Sequence, residues 1–227
     1  MIPPMITAAL PPLRLVIFDA TDTRRLTLPA RTPDGAAGVS PGLTPIWRAG
    51  AFLHRVARAA DDRLATSSWG EALAWIECIS RERGRKVASI QVWGRGGWGW
   101  MQLGKTRLDS HALRRHHEHA PALDALRGCL AGSDALFWLR CCSAFGHTGR
   151  SFAQDLAARL GCKVAGHTHI IGFWQSGTHS LWPGEAPGWD PREGVRFQGR
   201  EATGGLWSSA GAPNTVSCLS IGLPEGF

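Results

Sequence analysis

The chain has 227 residues, of which 44% are hydrophobic and 19% are charged, and this composition is typical of a folded globular protein. No apolar run reaches the roughly 18–20 residues that cross a bilayer, so we expect no membrane span. The N-terminal arm lacks the basic start of a signal peptide. We therefore expect a cytoplasmic protein, with non-classical export left open. The net charge of +7 comes almost entirely from scattered arginines, which argues against a nucleic-acid partner.

Apolar runs and capping signals predict strands that alternate with helices. The predicted strands, each a short and nearly continuous apolar run, are residues 13–20, 87–94, 134–142 and 163–166. The predicted helices are residues 45–60, 68–84, 110–119, 121–130 and 148–161. Residues 21–45 are predicted to form an irregular connection.

This alternation predicts an α/β fold, a three-layer sandwich with a mostly parallel central sheet and helices on both faces. We expect residues 1–172 to form this α/β domain. Residues 173–227 are rich in Gly, Pro and Trp, and we expect them to form an irregular, β- and loop-rich extension packed on the domain.

Chemically versatile side chains follow three of the predicted strands. Arg95 follows the second strand, within the glycine run "GRGGWG". Cys141 and Cys142 end the third strand, and His167 and His169 follow the fourth within "HTH". Sites in open parallel sheets form beyond the carboxyl ends of the strands, so these residues converge if the strands are neighbours. The next helix would then direct its N-terminus toward the cysteines, where its dipole lowers the pKa of a thiol.

The order of these features resembles the caspase-like cysteine peptidase fold. It is most similar to the caspase-like domain found near the N-termini of large, repeat-rich bacterial surface proteins. The matching stretches are "WGRG" (93–96), "QLGKTRL" (102–108), "LFWLRCC" (136–142), "GHTGRSFAQDLAARLG" (146–161) and "KVAG" (163–166). The likeness covers roughly residues 13–172 in element order and is sharp at residues 89–108 and 136–166.

The resemblance implies a catalytic histidine, a glycine whose N–H lines an oxyanion hole, and a nucleophilic cysteine. The histidine position is occupied here by Arg95, and the glycine is kept as Gly96. The nucleophile falls on Cys141, or on Cys142 if the strand end shifts by one residue. Arginine stays protonated and cannot act as a general base, although it can pair with a thiolate. Without general acid–base help the reaction slows by about 10²–10⁴.

Three functions therefore stand side by side. The leading expectation is a catalytically degenerate, caspase-like binding or scaffolding module for a protein or peptide partner. The residues expected to contact that partner are Arg95, Gly96, Trp98 and His147. In the first alternative, an active cysteine peptidase uses His167 or His169 as its base. In the second, a structural or carbohydrate-contacting subunit works through the tryptophan-rich tail.

The sequence predicts no cofactor and no metal site. The six cysteines include no C-x-x-C pair, which favours reduced thiols over a zinc site or a disulfide framework. His116 and His119 lie three residues apart in "HALRRHHEH" (111–119), but no cysteine or carboxylate of matching spacing completes a ligand set. The sequence leaves the oligomeric state open.

Overall fold

A computed structural model describes residues 10–23, 26–28, 38–40 and 42–224 of the chain. The helices in this part are α1 (Thr44–Val56), α2 (Trp69–Arg83), α3 (Ala120–Cys129) and α4 (Gly149–Leu160). The strands are β1 (Leu13–Asp19), β2 (Leu26–Leu28), β3 (Gly38–Ser40), β4 (Asp62–Thr66), β5 (Val87–Trp93), β6 (Arg95–Gly97), β7 (Trp100–Leu103), β8 (Thr106–Asp109), β9 (Leu136–Arg140), β10 (Lys163–His167), β11 (Trp174–Gln175), β12 (Thr178–Leu181), β13 (Val195–Gln198), β14 (Glu201–Gly205) and β15 (Val216–Ser217). None of the helices described here has the length and apolar character needed to span a membrane.

Six strands form one mixed sheet in the order β12–β10–β9–β5–β1–β4. Neighbouring strands are parallel except at one edge, where β12 runs antiparallel to β10. All four strands expected from the sequence are present and lie side by side. The predicted mixed α/β fold with a mostly parallel sheet is therefore confirmed.

The alternation of side chains along β1 divides the apolar core between the two faces of the sheet. Leu15 and Ile17 belong to the large cluster that also contains the buried residues of α2, α3 and α4. Val16 and Phe18 point to the other face, where they pack with Ala51 of α1. Period-two alternation explains this division, because successive strand residues face opposite sides of a sheet.

Three parts of the chain differ from their predictions or fall outside the description. Strand β4 was not predicted, because this edge strand, "DRLAT", has no apolar run. Residues 110–119 form consecutive turns and not the predicted helix. There the Asp109 carboxylate accepts a hydrogen bond from the Ala112 N–H, and such local side-chain bonds compete with helical ones. About half of the predicted irregular connection at residues 21–45 lies outside the described residues, and β2 and β3 form an antiparallel pair within it.

The predicted extension contributes to the main sheet and also covers it. It supplies β12 at the sheet edge, and its C-terminal segment lies against β9. The buried Arg140 guanidinium donates hydrogen bonds to the backbone oxygens of Ser217 and Ser220 and to the side chain of Gln91. The Gln91 amide in turn donates to the Ile221 oxygen at 2.6 Å. Residues of the extension thus complete one face of the sheet.

Candidate functional site

The carboxyl ends of β5, β9 and β10 meet at one edge of the sheet, because the three strands are adjacent and parallel. We call this edge and the loops that follow it the strand-end site. Gly96 lies directly against Cys141: a Cβ atom added to this glycine would be 2.5 Å from the Cys141 Sγ. The Ser143 N–H, just beyond the cysteines, donates to the His169 backbone oxygen at 2.9 Å. The predicted convergence of the strand ends is therefore present.

Arg95 forms an ion pair at this site. Its Nη2 lies 2.9 Å and 3.1 Å from the two carboxylate oxygens of Asp22. The Arg95 side chain is 33% exposed, whereas the Asp22 side chain is only 7% exposed. The loop that carries Asp22 is held by Asp19 at the end of β1, whose carboxylate accepts from the backbone N–H groups of Thr21 and Gly104. A fixed cation thus occupies the position at which the resemblance requires a base.

The two adjacent cysteines lie in different environments. Cys141 is fully buried in the core cluster of α2–α4, and this burial, followed by the neighbouring Cys142, raises the pKa of its thiol well above the usual value. Cys142 is partly exposed. Burial also raises the Cys142 pKa, and the smaller opposing effects come from its contact with the Ile171 oxygen and from the charge of Arg95. The predicted lowering of a thiol pKa is wrong, because desolvation outweighs the nearby positive charge.

His167 is wholly buried and both of its ring nitrogens are engaged. Its Nε2 accepts from the Trp138 indole N–H at 3.2 Å, and its Nδ1 lies 3.2 Å from the Thr178 hydroxyl. Burial lowers its pKa well below the usual value. Its partner Trp138 packs on the face of the sheet opposite the core cluster that contains Cys141. Neither nitrogen is free to take a proton from a thiol, so the geometry does not fit the predicted role of His167 as a base.

His169 ends a relay of polar side chains. Its Nδ1 lies 2.9 Å from the Thr168 hydroxyl, which donates to Glu193 at 2.8 Å. The same Glu193 oxygen lies 2.8 Å from the His179 Nε2. Because the Thr168 proton goes to Glu193, the His169 Nδ1 must be the donor to Thr168, which leaves its Nε2 unprotonated. This Nε2 makes no hydrogen bond within the described ranges. Burial lowers the His169 pKa, and the Glu193 charge partly offsets this effect.

Neither Thr168 nor Glu193 was predicted as part of the site. Glu193 lies in the irregular "DPREG" loop, 25 residues after its partner Thr168, and no periodicity connects the two. The sequence signal that could have drawn attention to this loop is its concentration of charge between glycines. Such a signal identifies a turn and leaves the partner of the carboxylate unknown.

Trp98 and His147 form an aromatic surface beside the cysteines. Their ring centroids are 4.8 Å apart with the planes nearly perpendicular, and both residues are partly exposed. His147 adopts a left-handed backbone conformation with φ +47°, which is uncommon for a residue other than glycine. The Gly99 N–H donates to the Ala144 oxygen, so the glycine turn is joined to the loop after the cysteines. Arg95 and Gly96 of β6, together with Trp98 and His147, thus lie in two connected segments of the strand-end site.

The tryptophans of the extension differ in exposure, and Trp207 is partly buried. Trp189 is buried and stacks with the rings of Phe145 and His179, which makes it a packing residue. Trp174 and Trp182 are about two-fifths exposed, at 41% and 38%. The carbohydrate-contacting alternative stays a prediction that depends on these two rings. Among the residues that the structure describes, no group of three or more His, Cys, Asp or Glu side chains could hold a metal ion.

The fold and the site define a class: an α/β protein with a mostly parallel six-stranded sheet and thiol, imidazole and guanidinium groups at the strand ends. Residues 64–182, just over half of the chain, match the family described as a domain of unknown function (DUF4347), and the chain belongs to that family. The match extends from β4 to β12 and includes Arg95, both cysteines and His169. No curated protein matches the chain.

Proposed function

We propose that the chain is a catalytically degenerate, caspase-like module that binds a protein or peptide partner at the strand-end site. The ion pair between Arg95 and Asp22 carries this proposal. A guanidinium stays protonated in proteins, so the group held where a general base is needed cannot accept a proton. The raised pKa values of Cys141 and Cys142 point in the same direction, because the thiolate is the nucleophile.

The same residues offer contacts to a partner. The Arg95 hydrogen bond to Asp22 comes from Nη2, and the remaining N–H groups of this partly exposed guanidinium form no hydrogen bond with the described residues. Arginine binds carboxylates through charge-assisted, often bidentate hydrogen bonds. The rings of Trp98 and His147 present flat surface nearby. This combination suits a peptide segment with an acidic residue beside an apolar or aromatic one.

The loss of catalysis is tested by the reactivity of the two thiols. The native chain is treated with iodoacetamide between pH 5 and pH 9, and mass spectrometry follows Cys141 and Cys142 separately. We expect Cys142 to react slowly below its raised pKa and Cys141 to be slower still, because it is buried. The urea-unfolded chain gives the reference rate for each thiol. Reaction of either native thiol near neutral pH faster than in the unfolded chain would contradict a degenerate site.

Partner binding is tested by selecting displayed random peptides on the immobilised full chain. We expect enriched peptides to carry an acidic residue, and Arg95→Gln to weaken their binding by about tenfold through loss of the charge-assisted hydrogen bonds. Trp98→Ala tests the same surface without disturbing the ion pair. Arg200→Gln is the matched control, because Arg200 is exposed in the turn between β13 and β14. No enrichment, or equal binding by all three variants, would argue against the proposal.

A second candidate function is an active cysteine peptidase with Cys142 as nucleophile and His169 as base. The relay through Thr168 to Glu193 favours it, because a base whose second nitrogen is oriented by hydrogen bonds is the usual partner of a nucleophilic thiol. This candidate requires covalent capture by a peptidyl chloromethyl ketone. Capture must be lost in Cys142→Ala and His169→Gln and kept in Cys218→Ala. A panel of such reagents with varied P1 residues that labels none of the protein would rule it out.

A further inference from the structure

A second concentration of charged groups lies outside the strand-end site, on the helical face of the molecule. A cavity of about 470 Å³ opens between α3, α4 and the turns at residues 110–119. The charged residues that line it are Arg114, Arg115, Arg127, Arg159 and Asp155. Four arginines and one carboxylate give this lining a formal charge of +3. Neither proposed function of the strand-end site uses this cavity.

Asp124 is the nearby carboxylate outside this lining: it pairs with Arg159, and the charges of Arg115 and Arg127 also act on it. The guanidinium groups of Arg114, Arg115 and Arg127 form no hydrogen bond or ion pair within the described ranges of the chain. The Asp155 carboxylate accepts a hydrogen bond from the Ser110 hydroxyl at 3.0 Å. Like charges around one cavity repel each other, and a bound anion removes this repulsion.

Arg159 is held firmly at the cavity wall. Its Nη1 pairs with Asp124, its Nη2 donates to the Ala120 oxygen at 2.8 Å, and its side chain is only 14% exposed. Its Nε is buried and has no hydrogen-bond partner within the described residues. A buried donor without an acceptor is costly. Arg159 is therefore a guanidinium whose position at the cavity wall is fixed by its contacts with α3.

Stabilisation of the helix ends explains the positions of only two of the four arginines that line the cavity. Arg127 and Arg159 lie in the last turns of α3 and α4, where a cation stabilises the negative end of the helix dipole. Arg114 and Arg115 lie on turns, where this reason does not apply. Arg115 acts on the nearby Asp124 carboxylate, whereas the Arg114 side chain forms no hydrogen bond or ion pair among the described residues.

We propose that this cavity binds a small, multiply charged phosphate anion. Guanidinium groups match phosphate oxygens in pairs of parallel hydrogen bonds, and several of them converge here on one volume. A volume of about 470 Å³ is in the range of small-ligand sites, typically about 300–1,000 Å³. The charged group belongs either to a soluble polyphosphate-type compound or to a phosphorylated lipid headgroup, because both present the same chemistry.

The probe is inorganic tripolyphosphate, titrated into the full chain by isothermal calorimetry at low and at moderate salt. We expect binding at one site that weakens with salt, because the exposed arginines are screened. Arg114→Gln combined with Arg115→Gln is expected to weaken binding by about tenfold or more, through loss of charge-assisted hydrogen bonds. Arg127→Gln is expected to weaken it as well. Arg200→Gln is the matched control and is expected to bind as the unmodified chain does.

A second arm distinguishes the two sources of phosphate. Vesicles with and without a phosphoinositide are floated with the chain, in the presence and absence of tripolyphosphate. Flotation that tripolyphosphate abolishes identifies a headgroup site, and calorimetric binding without flotation identifies a soluble ligand. The proposal is overturned if tripolyphosphate gives no binding heat at millimolar concentration and no flotation occurs. It is also overturned if the Arg114 and Arg115 variant, with an unchanged urea midpoint, binds tripolyphosphate as well as the Arg200 variant does.

Discussion

Replacement of Gly96 by alanine directly tests how closely the glycine turn approaches the cysteines. The added Cβ would lie 2.5 Å from the Cys141 Sγ, 2.9 Å from the Cys141 Cβ and 3.0 Å from the Cys142 oxygen. Real Cβ atoms do not approach other atoms this closely, so the backbone or Cys141 must move. Cys141 is buried in the core, and overpacking of a well-packed core costs about 1–3 kcal/mol. We expect the free energy of unfolding to fall by that amount.

Urea unfolding at pH 7 measures this change, and α3 supplies the matched control. A Cβ added at Gly128 would meet no atom within 4 Å, so Gly128→Ala is expected to be neutral or to stabilise the helix by up to about 1 kcal/mol. In the Gly96→Ala background, Cys141→Ala removes the clashing sulfur but not its Cβ. That second change is therefore expected to recover part of the lost stability, as a coupling between the two sites.

The result that would refute this reasoning is an unchanged urea midpoint for Gly96→Ala alongside the expected behaviour of Gly128→Ala. Packing against Cys141 would then not require a glycine at this position. Equal destabilisation by Gly96→Ala whether or not Cys141 is alanine would show that the sulfur contributes nothing and that the cost comes from the remaining contacts with the Cys141 Cβ and the Cys142 oxygen.

Three further predictions concern polar side chains other than the thiols. His54 is buried, neither ring nitrogen has a hydrogen-bond partner in the described residues, and burial lowers its pKa from 6.5 to about 4. As the pH falls, the His54 imidazole is protonated in the unfolded chain before it is protonated in the folded one. The free energy of unfolding is therefore highest above pH 6.5 and decreases as the pH falls toward 4, with a loss of about 2 kcal/mol at pH 5. His54→Leu should reduce the difference between urea unfolding at pH 8 and at pH 5 by that amount, and an equal difference in both proteins would contradict it. Arg95→Met leaves the Asp22 carboxylate without its cation, and the partly exposed pair limits the cost to about 1–2 kcal/mol. Asp22→Asn, added to Arg95→Met, should recover part of that loss in urea unfolding. If the effects of the two substitutions on the free energy of unfolding are simply additive, the two side chains do not interact directly. Asp19→Ala removes the acceptor of the Gly104 N–H, and we expect the free energy of unfolding to fall by about 2–4 kcal/mol and the thermal midpoint to fall with it. An unchanged midpoint would show that water replaces the carboxylate.

The convergence of the strand ends could be predicted because buried parallel strands carry continuous apolar runs. Those runs identified the strands that became β1, β5, β9 and β10, and their neighbour relations place Arg95 and the cysteines together. Edge strands have a less regular pattern of apolar residues than buried strands. β4 has one side open to solvent or to loops, so its sequence is mixed and its position was missed.

The roles of the histidines could not be predicted, because they depend on the exact residue at which the fourth predicted strand ends. The sequence ends the fourth strand at Gly166, whereas β10 continues to His167. That one extra residue fixes the His167 side chain on a face of the sheet, where it is buried against Trp138. His169 stays beyond the strand and joins a carboxylate from a distant loop. Contacts between residues far apart in the chain have no local sequence pattern to reveal them.

The buried Arg140 has a consequence for the order in which the chain folds. Its charge is stabilised by backbone oxygens of Ser217 and Ser220, and the neighbouring Gln91 bonds to the Ile221 oxygen across 130 residues of chain. During synthesis, all helices and all strands of the main sheet emerge before these acceptors exist. A nascent chain that stops short of residue 217 therefore has only the Gln91 and Gln175 side chains as acceptors for this guanidinium, and that part of the sheet face stays open to water. The last step of folding is expected to wait for the C-terminal segment, and non-local contacts of this kind make such closure slow.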